Sequence, residues 1–84
     1  MNHELKCWPE HFQPLFDGLK LAELRKNDRD FKAGDELKLR EFVMETRFPG
    51  QGHYTGNYLI KRIRHVADVG AWAPGFVLLS LENV

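Results

Sequence analysis

The apolar positions of this chain change their period several times, and each change marks an element. His3 to Cys7, ahead of Pro9, reads as a short first strand. Pro9 then stands where a helix accepts proline, in its first turn, with Glu10 favouring the positive end of the helix dipole. Phe12, Leu15 and Phe16 recur at helical spacing, and Gly18 closes the element as a left-handed terminal residue. Pro14 is discordant: it removes one backbone bond from a helix interior, and a kink or fresh start near Gln13 is expected.

From Leu21 the period returns to two. On pattern alone Ala22 and Leu24 face the core, while Leu21, Glu23 and Arg25 share the other side. Asn27-Asp28 and Gly34-Asp35 are turn signals, after which Leu37 and Leu39 alternate with Lys38 and Arg40 in a strand wet on one face. Residues 44 to 53 read as a loop carrying Pro49, Gly50 and Gly52. Tyr54 to Val66 is β-branched and aromatic, with Gly56 as a bulge or turn that bends the strand. Residues 67 to 75 form a second irregular stretch, and Phe76 to Leu81, apolar at nearly every position, is expected to be a central strand buried on both faces.

About five short strands, one early helix and no alternating strand-helix rhythm predict an α+β fold: a curved, mostly antiparallel sheet forming a small barrel with the N-terminal helix against it. The rival is an OB-type barrel, whose helix usually sits in mid-chain.

At 84 residues the chain makes one small domain, residues 1 to 84, with no room for a second. A single cysteine, Cys7, precludes an internal disulfide and suits an intracellular, cytoplasmic protein. No secretory pattern opens the chain, and the most apolar stretch, Gly70 to Leu81, is broken by Pro74 and Gly75 and falls short of a membrane span. Twelve basic and twelve acidic residues cancel, which argues against non-specific duplex binding. Lys61, Arg62 and Arg64 stand together and read either as a basic patch or as a solvated strand face.

The segment richest in chemistry is Gly18-Leu19-Lys20-Leu21-Ala22-Glu23-Leu24-Arg25, a Gly-x-Lys-x-x-Glu-x-Arg run. Lys20 beside a carboxylate and sheltered by Trp8 or Phe48 can serve as a general base, or can stay charged and hold a phosphate or carbonyl oxygen. Arg25 suits phosphate through its planar fork. A plain Glu23–Arg25 ion pair on one strand face is the alternative. In the following turn, Asn27 and Asp28 are suited to capping backbone amides, and Arg29, flanked by Asp28 and Asp30, is either clamped by them or aimed at an anion.

This run, with the Leu5-Lys6 strand, Pro9, Phe12 and the Phe76 to Leu81 tail, resembles the ASCH domain of the PUA-like superfamily. It is more similar still to a small group of ASCH-related proteins of unknown function met in phages and prophages. The resemblance implies a ligand cleft beside the motif, with the family lysine falling on Lys20 and the family arginine on Arg25. Some relatives of that kind hydrolyse acylated cytidine nucleosides, and others are implicated in RNA binding or cleavage. In the hydrolase branch the position matching Glu23 is a nucleophilic threonine; glutamate here changes what chemistry is possible. The distal catalytic glutamate of that branch has only Asp68 as a loose counterpart.

Trp8, Phe48, Tyr54, Tyr58 and Trp72 are rings on which a base can stack, with Trp8 and Trp72 foremost by position. His3, Cys7, His11, His53 and His65 lack metal-ligand spacing, so neither metal nor cofactor is expected. Cys7 reads as a buried thiol, and Gly50-Gln51-Gly52 as a flexible connection without the ending of a phosphate loop.

Three function classes follow. The first is a module binding RNA or a nucleotide-like ligand through Lys20, Glu23, Arg25, Arg29, Asn27 and Trp8. The second is a hydrolase of a modified nucleoside or an RNA phosphodiester, with Lys20 and Glu23 as the catalytic proton-transfer pair and Arg25 stabilising developing charge. The third is a protein-interaction adaptor. Oligomeric state is not legible.

Overall fold

The structure, a computed structural model, describes residues 1–45 and 51–84. Along the chain run β1 (Asn2–Cys7), α1 (Pro9–Phe16), β2 (Ala22–Lys26), β3 (Glu36–Met44), β4 (Gly52–Asp68) and β5 (Phe76–Asn83). The strands form one sheet in the order β1-β3-β4-β5-β2, with β1 parallel to β3 and the other neighbours antiparallel. The sheet curls into a half-barrel, so β1 and β2, its two edges, approach one another without pairing: the Arg25 side chain reaches from β2 to the Lys6 carbonyl of β1.

Alternation decides what lies inside. Leu5 and Cys7 of β1, Leu37 and Leu39 of β3, Ile63 of β4, and Val77, Leu79 and Leu81 of β5 point to the concave side, where Phe12 and Leu15 of α1 and Phe31 complete the core. Leu15, Leu37, Leu39 and Leu79 are completely buried, each such side chain contributing about 1.5–3 kcal/mol relative to exposure. The helix runs unbroken through Pro14, which lies in its last turn, and two amides beyond it, of Leu19 and Lys20, bond back to the Pro14 carbonyl. The expected interruption near Gln13 is absent because an eight-residue helix asks only one bond of that position, the one to Glu10. Gly18 follows at φ 76°, in the left-handed region.

Strand β4 bends as its composition predicts. Arg40 pairs with Tyr58 but Phe42 pairs with Tyr54, so β4 bulges around Gly56, at φ 97°; a second register shift leaves Arg64 as an extra residue. The 44 to 53 loop is shorter than expected at both ends, since Met44 belongs to β3, and Gly52 and His53 to β4. Phe48, Pro49 and Gly50 lie outside the described residues. Strand β5 is internal to the sheet but buried on one face only: Leu78 is exposed, because nothing among the described residues covers the convex side. None of the described helices is long and apolar enough to cross a membrane.

Candidate functional site

Strand β2 turns the opposite way from its apolar pattern. Glu23 pairs with Leu79 and Arg25 with Val77, so both ionic side chains stand on the core side, while Leu24 lies beside Leu78 on the convex face and is exposed. The expectation that Ala22 and Leu24 face the core is thereby reversed, although Glu23 and Arg25 do share a face. A carboxylate is tolerated there because it is paired on both oxygens. Lys20 Nζ donates to Glu23 Oε1 at 2.7 Å and Arg25 Nε to Oε2 at 2.9 Å, which offsets the cost of burying a residue only 4% exposed.

The cluster extends in both directions. Lys20 Nζ lies 3.3 Å from His11 Nδ1 on α1, and Arg25 Nη2 donates to the Lys6 carbonyl at 3.0 Å. A line of polar contacts therefore runs from the helix across the open edge of the half-barrel to β1. Cavities flank it. One, of about 480 Å³, is lined by Lys6, Trp8, His11, Lys20, Glu23, Leu24 and Arg25. The other, of about 400 Å³, is lined by Glu4, Leu5, Lys6, Arg25, Lys26, Asp28, Arg29, Phe31 and Tyr54. Lys6 and Arg25 belong to both, so the two form halves of one cleft between β1 and β2.

Four expected site residues thus meet at this cleft in the way the motif suggests: Lys20, Glu23 and Arg25 in direct contact, and Arg29 in the second half. Trp8 is at the rim of the first half, 49% exposed. Asn27 is not a cleft residue. Its Oδ1 accepts from the Phe31 amide, as the turn-capping alternative anticipates, and it lines a separate depression with Asp68. Asp68 lines that depression and not the cleft, and its Oδ1 accepts from the Gly70 amide. Trp72 projects from the β4–β5 turn, almost fully exposed. The 61 to 64 basic run does not act as a unit: Lys61 donates to Asn83, Arg62 lies 3.8 Å from Glu36, and Arg64 is on the bulge.

Cys7, on the core side of β1, is buried; burial first, and then the Glu23 charge, push its thiol up to about 11. Both the burial and the raised pKa disfavour the thiolate there. Among the described residues no three His, Cys, Asp or Glu side chains gather as a metal site. Lys6 and Lys26 were not singled out by the motif, yet both line the cleft. For Lys6 no local pattern signals this; it follows from the place of β1 at the edge of the sheet.

Residues 2–81 match a family described as a domain of unknown function (DUF3850). An uncharacterized 12.9 kDa protein encoded in the GpA 3′ region of Escherichia phage P2 is 39% identical over 77 residues, which is 92% of this chain and 64% of that protein. This chain therefore spans just under two thirds of its phage relative. With the match running from β1 to β5, the chain belongs to the DUF3850 family.

Proposed function

We propose that this chain is a nucleic-acid-binding module of ASCH, PUA-like type, taking RNA or a nucleotide-sized anion in the cleft between β1 and β2. The observation that carries this reading is the fixed guanidinium of Arg25. Glu23 and the Lys6 carbonyl hold it where both halves of the cleft meet, so an anion meets a donor already oriented. Lys6, Lys26 and Arg29 add positive charge against Glu4 and Asp28 in the second half. The cavities have the size of small-ligand sites, and Trp8 offers a stacking ring at one rim. Short single-stranded RNA is expected to bind with an affinity that falls with salt. Arg29→Ala, at an exposed turn position, is expected to weaken binding several-fold and reduce the salt slope by about one. Binding that is indifferent to salt, Arg29→Ala and Arg25→Ala alike would overturn the reading.

A hydrolytic reading of the same cleft draws on a separate observation, the placement of Lys20 between His11 and Glu23. That arrangement suits proton transfer to and from a substrate in the Trp8 half of the cleft. With glutamate at position 23, the reaction would use an activated water in place of a side-chain hydroxyl. Product formation from acylated cytidine or RNA, slowed by Glu23→Gln at a temperature where the variant is folded, is the test; no turnover across a panel of modified nucleosides would remove it.

A further inference from the structure

The cleft ends on a ring. Tyr54 of β4 lines its second half, yet also stands on the convex face, edge-on to Phe42 of β3 with centroids 5.1 Å apart. The Arg40 guanidinium lies 3.7 Å above Tyr54, Lys6 Nζ lies 4.5 Å from the Phe42 centroid, and Lys38 Nζ lies 4.6 Å from that of Tyr58. Three rings in a row thus each carry a cation. Phe42 is buried, at 9%, whereas Tyr54 is 40% and Tyr58 55% exposed, so the two tyrosines are the rings open to a ligand. The acids on this face are occupied: Glu4 accepts from Arg40, and Glu36 lies near Arg62.

The bulge in β4 fixes the spacing. Tyr54 and Tyr58 are four positions apart in sequence, but their partners on β3, Phe42 and Arg40, are only two apart, or about 7 Å along a strand. That is the step between successive bases of an extended single strand, and base stacking on such rings is indifferent to base identity. Arginine planes can continue a stack, and lysines meet the phosphates between.

We propose that the convex face of β3 and β4 continues the cleft as a track for single-stranded RNA, with successive bases stacked at Tyr54 and Tyr58 and the backbone met by Lys38 and Arg40. The proposal rests on the nucleic-acid reading of the cleft and adds that the ligand is an oligonucleotide which leaves it past Tyr54. The test compares an eight-nucleotide oligouridylate with uridine monophosphate by fluorescence anisotropy and competition, for the wild-type chain, Tyr58→Ala, Tyr58→Phe and Arg29→Ala. Tyr58→Ala is expected to weaken the oligomer about tenfold and to leave the monophosphate unchanged, with Tyr58→Phe retaining most of the oligomer affinity. Thermal melts verify folding. Tyr54→Ala, at a ring that also lines the cleft, is expected to weaken both ligands, and a 2′-deoxy oligomer bound equally well would overturn RNA as the specific ligand. Oligomer binding that falls with Arg29→Ala but not with either tyrosine variant would overturn the track and leave the cleft reading standing. Loss with the tyrosines but not with Arg29→Ala would overturn the cleft reading and, with it, the track as a continuation of the cleft. An oligomer that does not bind the wild-type chain overturns both.

Discussion

Arg25 and Lys6, 19 residues apart in the chain, are joined by one hydrogen bond, from a guanidinium Nη2 on β2 to a backbone carbonyl on β1. That contact spans the two edges of the sheet. An edge strand presents unpaired backbone groups that ordinarily invite another chain; here one of them is taken by a side chain that reaches across. The same guanidinium is bonded through Nε to Glu23, so one group takes part both in the approach of the two edges and in the electrostatics of the cleft.

Glu23 is expected to matter to stability before it matters to any ligand. Its carboxylate accepts from two cations while nearly buried. Glu23→Gln keeps the shape but leaves Lys20 and Arg25 without a counter-charge, and is expected to lower stability by about 1–3 kcal/mol, since both cations retain some access to water. Urea denaturation measures this, and Lys20→Met in the same chain is expected to recover part of the loss. An unchanged midpoint for Glu23→Gln would mean that the cluster is held by packing alone.

Cys7 supplies a readout of opening at the β1 edge. Its thiol is buried and raised to about 11, so little thiolate is present at pH 8 and what exists is shielded. A disulfide reagent is expected to label the native chain at least about a hundredfold more slowly than the urea-unfolded chain, at a rate set by local opening of β1. Rapid native labelling would show that the β1 edge is loose.

Much of this fold was legible because it rests on local alternation. Leu37 and Leu39 point where their period places them, and so do Phe12 and Leu15 of the helical stripe, whereas Phe16, its third member, is exposed beyond the reach of the sheet. Strand β2 was misread at its faces for a definite reason. A one-residue change of register exchanges the two sides of a strand, and the choice was made by charges that neutralise one another, Lys20 and Arg25 around Glu23, rather than by apolarity. Leu24 then rests against Leu78, which needs the β2–β5 pairing to be seen. The motif correctly grouped Lys20, Glu23 and Arg25. Lys6 and Tyr54 reach the cleft only through strand order, which no local pattern encodes.

Acid sensitivity is expected to arise at the opposite end of β1 from the Lys6 contact. Asp35 accepts from His3 Nε2 at 2.8 Å, from the N-terminal ammonium at 3.1 Å and from the Lys32 amide. The His3 bond above all holds its carboxyl down at about 2, against an ordinary 3.8. A carboxylate with a depressed folded pKa stabilises the fold above its unfolded value, and that contribution fades as pH falls from about 4 through 2. The side chain is 11% exposed, but its ammonium partner is largely in water, so screening reduces the contribution to roughly 1–2 kcal/mol. Asp35→Asn is expected to lose this amount at neutral pH and to flatten the pH dependence of stability between 2 and 4. A variant with the wild-type acid profile would place the sensitivity elsewhere.

Gly52 sets the position of the aromatic pair at the end of the β3–β4 hairpin. A Cβ there would collide with the Val43 carbonyl and would meet the Phe42 ring at 2.5 and 2.7 Å. The ring can swing, but the carbonyl is backbone and cannot move without disturbing the Val43–His53 and Met44–Gly52 pairings. Gly52→Ala is therefore expected to cost about 1–3 kcal/mol and to displace Phe42 from its edge-on contact with Tyr54. Aromatic proton shifts of Tyr54 read the second effect directly. Because Tyr54 lines the cleft and carries Arg40, the displacement is expected to weaken oligonucleotide and mononucleotide binding alike in a chain still folded at low temperature. A destabilised variant whose Tyr54 resonances stay in place would show that Val43 yields and that the ring pair is held by β4 alone.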